Sequence, residues 1–131
     1  WASAFHPGDQ GTPLGGSPLT AAAALATLRV LDDERLMDNA RAMGARFADG
    51  LALLVADGLA TEVRGRGLMI GVETAGPIAR QAMAIARDEH RLLVNATGDT
   101  TLRLVPPLTI NAEEVDEAVS RLRAALEQAA A

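Results

Sequence analysis

The chain has 131 residues and a net charge of −5, and all 12 of its basic residues are arginine. That acidic balance argues against nucleic acid and anionic membranes as partners, since both need clustered cations. Cysteine is absent, which excludes disulfides and thiolate-held metal and suits the cytoplasm; no apolar run approaches the ~18 residues of a membrane span.

At this length one domain can bury roughly two thirds of its unfolded surface, and one domain plus a piece of another also fits. Only Trp1, Phe5 and Phe47 are aromatic, so the core must be built from Leu, Val, Ile, Met and Ala. The chain opens on "WASAF" without a methionine, which reads as part of something longer.

The first segment, "HPGDQGTPLGGSPLT", combines glycines at 8, 11, 15 and 16 with prolines at 7, 13 and 18. Glycine-rich backbone entering a helix N-terminus can offer amide donors to an anion. A tight connecting loop is the other reading, and the residues alone do not choose. Ser17-Pro18 predicts an N-cap with proline at the first helical position. The alanine-rich run to Leu31 predicts the helix itself. Asp32 and Asp33 are then expected to cap a second helix. There Leu36, Ala40, Met43, Phe47, Leu51 and Leu54 form one face, and Gly58 is its expected stop.

In "TEVRGRGLMIGVET", Val63, Leu68, Ile70 and Val72 predict a strand. Its glycines read as turn or bulge positions, because a dinucleotide fingerprint would open a helix here instead of leading into a strand. Ile78, Ala82, Ile85 and Ala86 recur at helical spacing. "LLVNA" and "TLRLV" predict two short strands about the turn "TGDT", and Pro106-Pro107 ends the second. Asn111 with Glu114 is a capping-box pair opening a last helix striped by Val115, Val119, Leu122 and Leu126. From residue 34 onward this order predicts an α+β sandwich, with helices on one face of a small, largely antiparallel sheet. The first helix fits that unit poorly and reads as a connector.

His6 and His90 lie far apart with no third ligand at metal spacing, so surface or capping roles are expected and no metal site. Glu113, Glu114, Asp116 and Glu117 suit the positive end of a helix dipole, a solvated face needing no chemistry. Arg103 is less ordinary, sitting between apolar neighbours in "LRLVPP". Its guanidinium must leave the sheet on the solvent side, form an internal ion pair, or meet an anion such as a carboxylate.

Three ordered segments resemble one family. "PGDQGTPLGGSPLTAAAALATLRVL", "VRGRGLMIGVE" and "LLVNATGDTTLRLVPPLTINAEEVDEA" are similar to the C-terminal third of class III, pyridoxal-phosphate-dependent aminotransferases, most of all to the acetylornithine branch. The resemblance implies that residues 1–32 finish a large cofactor domain and bridge out of it. Residues 33–131 would then form the small C-terminal domain. It implies a homodimer acting on amino acids and 2-oxo acids, with an amino group moved between N-acetylornithine and 2-oxoglutarate in arginine biosynthesis. The loop at Gly11-Thr12-Pro13 would reach the partner subunit's active site. Thr12 matches a substrate position, Pro13 the phosphate-binding position and Arg103 the arginine that binds a substrate carboxylate.

This chain departs from the family pattern at Gln10, Pro13, Leu14 and Ser17. Pro13 offers neither a hydroxyl nor an amide proton to a phosphate. More consequentially, the cofactor's Schiff base needs a lysine, and the chain has none. No catalytic residue is therefore assigned, and the isolated chain is expected to be inactive. The rival reading is a non-enzymatic α+β binding or oligomerisation module. A narrower alternative keeps the class and changes the substrate to ornithine, succinylornithine or 4-aminobutyrate.

Overall fold

The computed structural model describes Gly11 and residues 15–131. The chain divides into two compact units, one ending at Arg35 and the other spanning Leu36–Ala131.

In the first unit, helix α1 runs Pro18–Asp33. Ser17 caps it by accepting from the Thr20 amide at 3.3 Å, and proline occupies the first turn as expected. The helix continues two residues past Leu31, so Asp32 and Asp33 close α1 instead of capping its successor. The Glu34 amide donates to the Val30 carbonyl and Arg35 turns the chain at φ +52. That left-handed residue does the work glycine usually does at a helix end. No α1 residue is buried, and Leu19, Leu25 and Leu28 are exposed.

The second unit begins with α2, Leu36–Ala56. Its expected face is inward: Leu36, Ala40, Phe47, Leu51 and Leu54 are buried and Met43 packs against them. Gly58, at φ +75, ends it with paired bonds from Gly58 N to Val55 O and from Leu59 N to Leu54 O. Those two bonds satisfy carbonyls that the last turn would otherwise leave open.

The single strand expected over 63–72 is instead a hairpin of β1, Ala60–Arg66, and β2, Met69–Thr74. Arg66 pairs with Met69, leaving Gly67-Leu68 as a two-residue loop. Gly67 supplies the positive φ of +55 that such a loop demands at its first position. Leu68 turns inward and is buried. A lone apolar pattern could not show that reversal, because Leu68 keeps an apolar identity through the turn.

After β2 come α3, Ala79–Asp88, the short β3, Asn95–Ala96, β4, Thr101–Leu104, and α4, Ala112–Ala130. Asn111 and Glu114 form the expected capping box at the start of α4. The sheet order is β1-β2-β4-β3 with every pair antiparallel, which is the α+β architecture expected from the element order. Ile70↔Leu104 and Val72↔Leu102 are the inward pairs. Helices α2, α3 and α4 cover that side, joining Phe47, Leu51, Val115, Leu122 and Leu126 to the sheet in one core. Among the described residues the other sheet face is uncovered, and its side chains form the candidate site.

Candidate functional site

Strand alternation decides what this open face carries. With Leu102 and Leu104 pointing into the core, Arg103 must point out, and it is exposed. Its cross-strand partners are Gly71 on β2 and Asn95 on β3. Gly71 in turn pairs with Arg64 on β1. A single row across the sheet therefore reads Arg64, Gly71, Arg103, Asn95. The Arg103 guanidinium leaves the sheet on the solvent side, where an anion can reach it. That guanidinium makes no hydrogen bond or ion pair to any described residue.

Gly71 shapes the row by carrying no side chain. A Cβ placed there would lie 3.7–3.8 Å from carbons and Nε of Arg64, so the Arg64 side chain lies across the glycine. Its far end is held: Arg64 Nη2 meets Glu73 Oε1 at 2.5 Å, and Nη1 lies 3.5 Å from Glu62 Oε2. Glu73 also accepts a hydrogen bond from the Thr101 hydroxyl at 2.7 Å. These donors favour the charged form, so the Thr101 bond first and the Arg64 bond second hold the Glu73 carboxyl below its usual range. The same contact raises Arg64 above its ordinary value.

Arg64, Arg66, Gly71, Thr97, Thr101 and Arg103 together line a shallow cleft of about 580 Å³. Arg66, like Arg103, makes no ion pair to a described residue. Free guanidinium beside threonine hydroxyls can bind a carboxylate through two parallel N–H···O bonds.

Of the other residues weighed from sequence, His90 lies beside Gln128, with 3.1 Å between Nε2 and Oε1. No cluster of metal-ligating side chains occurs among the described residues. Nor is any described helix long and apolar enough to cross a membrane. Glu114 serves the α4 cap, Asp116 forms a two-point pair with Arg46, and Glu117 pairs with Arg121. Thr12, Pro13 and His6 lie outside the described residues. Arg64, Glu73 and Thr101 were missed by sequence reasoning. The alternation of "MIGVET" signals that Gly71 and Glu73 share a face, but which strands flank them is set only by pairing.

The family described as Aminotransferase class-III matches residues 1–126, and the chain belongs to it. It is 46% identical over 120 residues to the acetylornithine aminotransferase of Gloeobacter violaceus (strain ATCC 29082 / PCC 7421), covering 90% of this chain and 30% of that protein. It is 43% identical to the ornithine aminotransferase of Staphylococcus carnosus (strain TM300), over 91% of this chain and 29% of that one. A solved acetylornithine aminotransferase from Elizabethkingia anophelis superposes with a TM-score of 0.83 at 30% identity, covering 97% of this chain and 33% of its own. The chain thus spans about 30% of the length of these relatives.

Proposed function

We propose that the chain is the C-terminal part of an aminotransferase that moves an amino group between N-acetylornithine and 2-oxoglutarate, in arginine biosynthesis. Arg103 is its substrate-carboxylate residue. The observation that carries this is the guanidinium of Arg103, unpaired among the described residues and presented on the open sheet face beside Thr97 and Thr101. The acetylornithine aminotransferases at 43–46% identity support the substrate. The ornithine aminotransferase at 43% supports ornithine as the second choice of donor.

Class III aminotransferases use pyridoxal phosphate, which supplies the electron sink for their chemistry. The residues of this chain do not by themselves fit that group: no lysine is present for a covalent link, and the described residues build no phosphate cradle. By family resemblance Pro13 stands at the phosphate position and Thr12 at a substrate position, and Thr12 would have to shift to supply the phosphate contact that Pro13 lacks. In this reading residues 1–32 complete a large cofactor domain, and residues 33–131 are the small domain. A homodimer partner completes the site, and the assembly works in the cytoplasm. What this chain's own residues do is bind and orient: Arg103 fixes a carboxylate, and the sheet fixes Arg103.

The test joins the chain to the coding sequence upstream of Trp1 and assays N-acetylornithine against ornithine with 2-oxoglutarate. N-acetylornithine is expected to give the higher kcat/KM. Arg103→Gln should raise KM for the carboxylate substrate about 10- to 100-fold, the range for a lost hydrogen bond to a charged group. The 131-residue chain alone should give no turnover and no borohydride-reducible adduct with the cofactor. Turnover by that chain, or an unchanged KM in Arg103→Gln, overturns the reading.

A further inference from the structure

We infer that Glu73 is a specificity-determining residue of the carboxylate site: by engaging Arg64, it leaves Arg103 to bind one carboxylate group and keeps the row across Gly71 from acting as a two-cation seat. This rests on the reading of Arg103 as a carboxylate site.

Three observations converge on it. Arg64 and Arg103 face outward from strands on either side of β2, in register with the same glycine. Two strand spacings put their Cα atoms about 9.6 Å apart. Both side chains are long enough to converge over Gly71, which itself places no side chain between them. Left free, such a pair would favour a ligand with two carboxylates over a ligand with one, because each charge would find its own guanidinium.

Glu73 prevents this. Its Oε1 takes both the Arg64 guanidinium at 2.5 Å and the Thr101 hydroxyl at 2.7 Å. The Thr101 bond matters because Thr101 lies two residues before Arg103 on the same strand and face. The carboxylate is thereby braced from β4 as well as from β1. Only 19% of its side-chain surface remains exposed, against 49% for Arg64. Glu62 adds a weaker contact at 3.5 Å on the other side of the Arg64 guanidinium. Arg64 is thus occupied inside the protein, whereas Arg103 has no partner among the described residues. Arg66 lines the same cleft but stands outside this row, since its register partner is Met69, two residues along β2 from Gly71.

The experiment uses the 131-residue chain, isotopically labelled, titrated separately with sodium acetate and sodium glutarate at constant ionic strength. The Nε–Hε resonances of Arg64 and Arg103 are assigned with Arg64→Gln and Arg103→Gln. In the wild type, Arg103 should move with both probes and Arg64 with neither. The two affinities should then differ by little more than the statistical factor of about two for a two-ended ligand. In Glu73→Gln, glutarate should gain about fivefold over acetate, the upper end for an exposed ion pair. Arg64→Gln added to that variant should remove the gain. Glu73→Asp, whose shorter side chain draws back from Arg64, provides the same reading if Glu73→Gln loses amide dispersion. Movement of Arg64 with either probe in the wild type overturns the inference, and so does an unchanged glutarate-to-acetate ratio in the Glu73 variant. An Arg103 that moves with neither probe sinks the underlying carboxylate reading, and the inference falls with it.

Discussion

Gly44 of α2 and Gly67 of the β1–β2 turn meet backbone to backbone. A Cβ on Gly44 would stand 2.5 Å from the Gly67 carbonyl oxygen and 2.8 Å from its Cα. The helix can therefore approach the hairpin this closely only because Gly44 projects no side chain at the contact.

Gly44→Ala is accordingly expected to destabilise the unit by about 1–3 kcal/mol, as for other overpacked contacts. Helix propensity alone predicts a gain of about 1 kcal/mol, so the sign of the change decides which effect wins. Gly76→Ala is the control, because a Cβ there meets nothing within 4 Å. Urea unfolding of both variants against the wild type makes the comparison.

Asn39 carries the second prediction. Its Nδ2 donates to the carbonyls of Leu108 at 2.8 Å and Ile110 at 2.9 Å, pinning the segment after Pro106-Pro107 to α2. Asn39→Ala should cost about 1–3 kcal/mol through the abandoned carbonyls. Hydrogen exchange should rise first at the Ile110 amide, which donates to Pro107 in the same turn.

Thr74 is the one buried polar residue among the described residues, 4% exposed. Its hydroxyl lies 2.6 Å from the Gly76 carbonyl and 2.9 Å from that of Thr100, tying the end of β2 to the start of β4. Thr74→Val keeps the shape and loses the donor, and should cost about 1 kcal/mol. Thr74→Ser should recover most of that in the same urea titration.

Acid sensitivity follows from Asp116. Arg46 Nε and Nη2 donate to its two carboxylate oxygens at 2.7 and 2.6 Å, joining α2 to α4. These bonds hold the folded-state Asp116 below the ordinary aspartate value of 3.8. Its contribution is therefore fully present above that value and is lost as pH falls through the lower folded one. Asp116→Asn should narrow the difference in urea midpoint between pH 7 and the acid limb. An identical acid loss in the variant and the wild type contradicts this assignment.

Much of this fold was legible because burial repeats along the chain. The α2 face, the Gly58 stop, the Ser17-Pro18 start and the Asn111–Glu114 box all follow from local spacing, and each appears where the residues put it. Local signals fell short where the chain reverses without polar punctuation. Leu68 sits in a turn yet is buried, so the β1–β2 hairpin reads as one strand. The end of α1 is set by Arg35 in a left-handed conformation, for which an arginine gives no warning. At the site, the isolated charge of Arg103 could be noticed from its apolar neighbours. Its relation to Arg64 and Glu73 could not, because those residues lie 39 and 30 positions away in the chain and meet it only through strand order.

The position of Arg103 between Leu102 and Leu104 has a consequence for how this surface can change. The leucines are anchored in the interior, so the arginine's direction is inherited from them and not from its surroundings on the outer face. Substitutions at 64, 71, 73, 101 or 103 can therefore be combined as a library against new ligands with the scaffold held constant. A deletion of one residue in β4 is different in kind: it would turn the charge inward and the leucines out, ending the outward presentation of Arg103 and folding in one event.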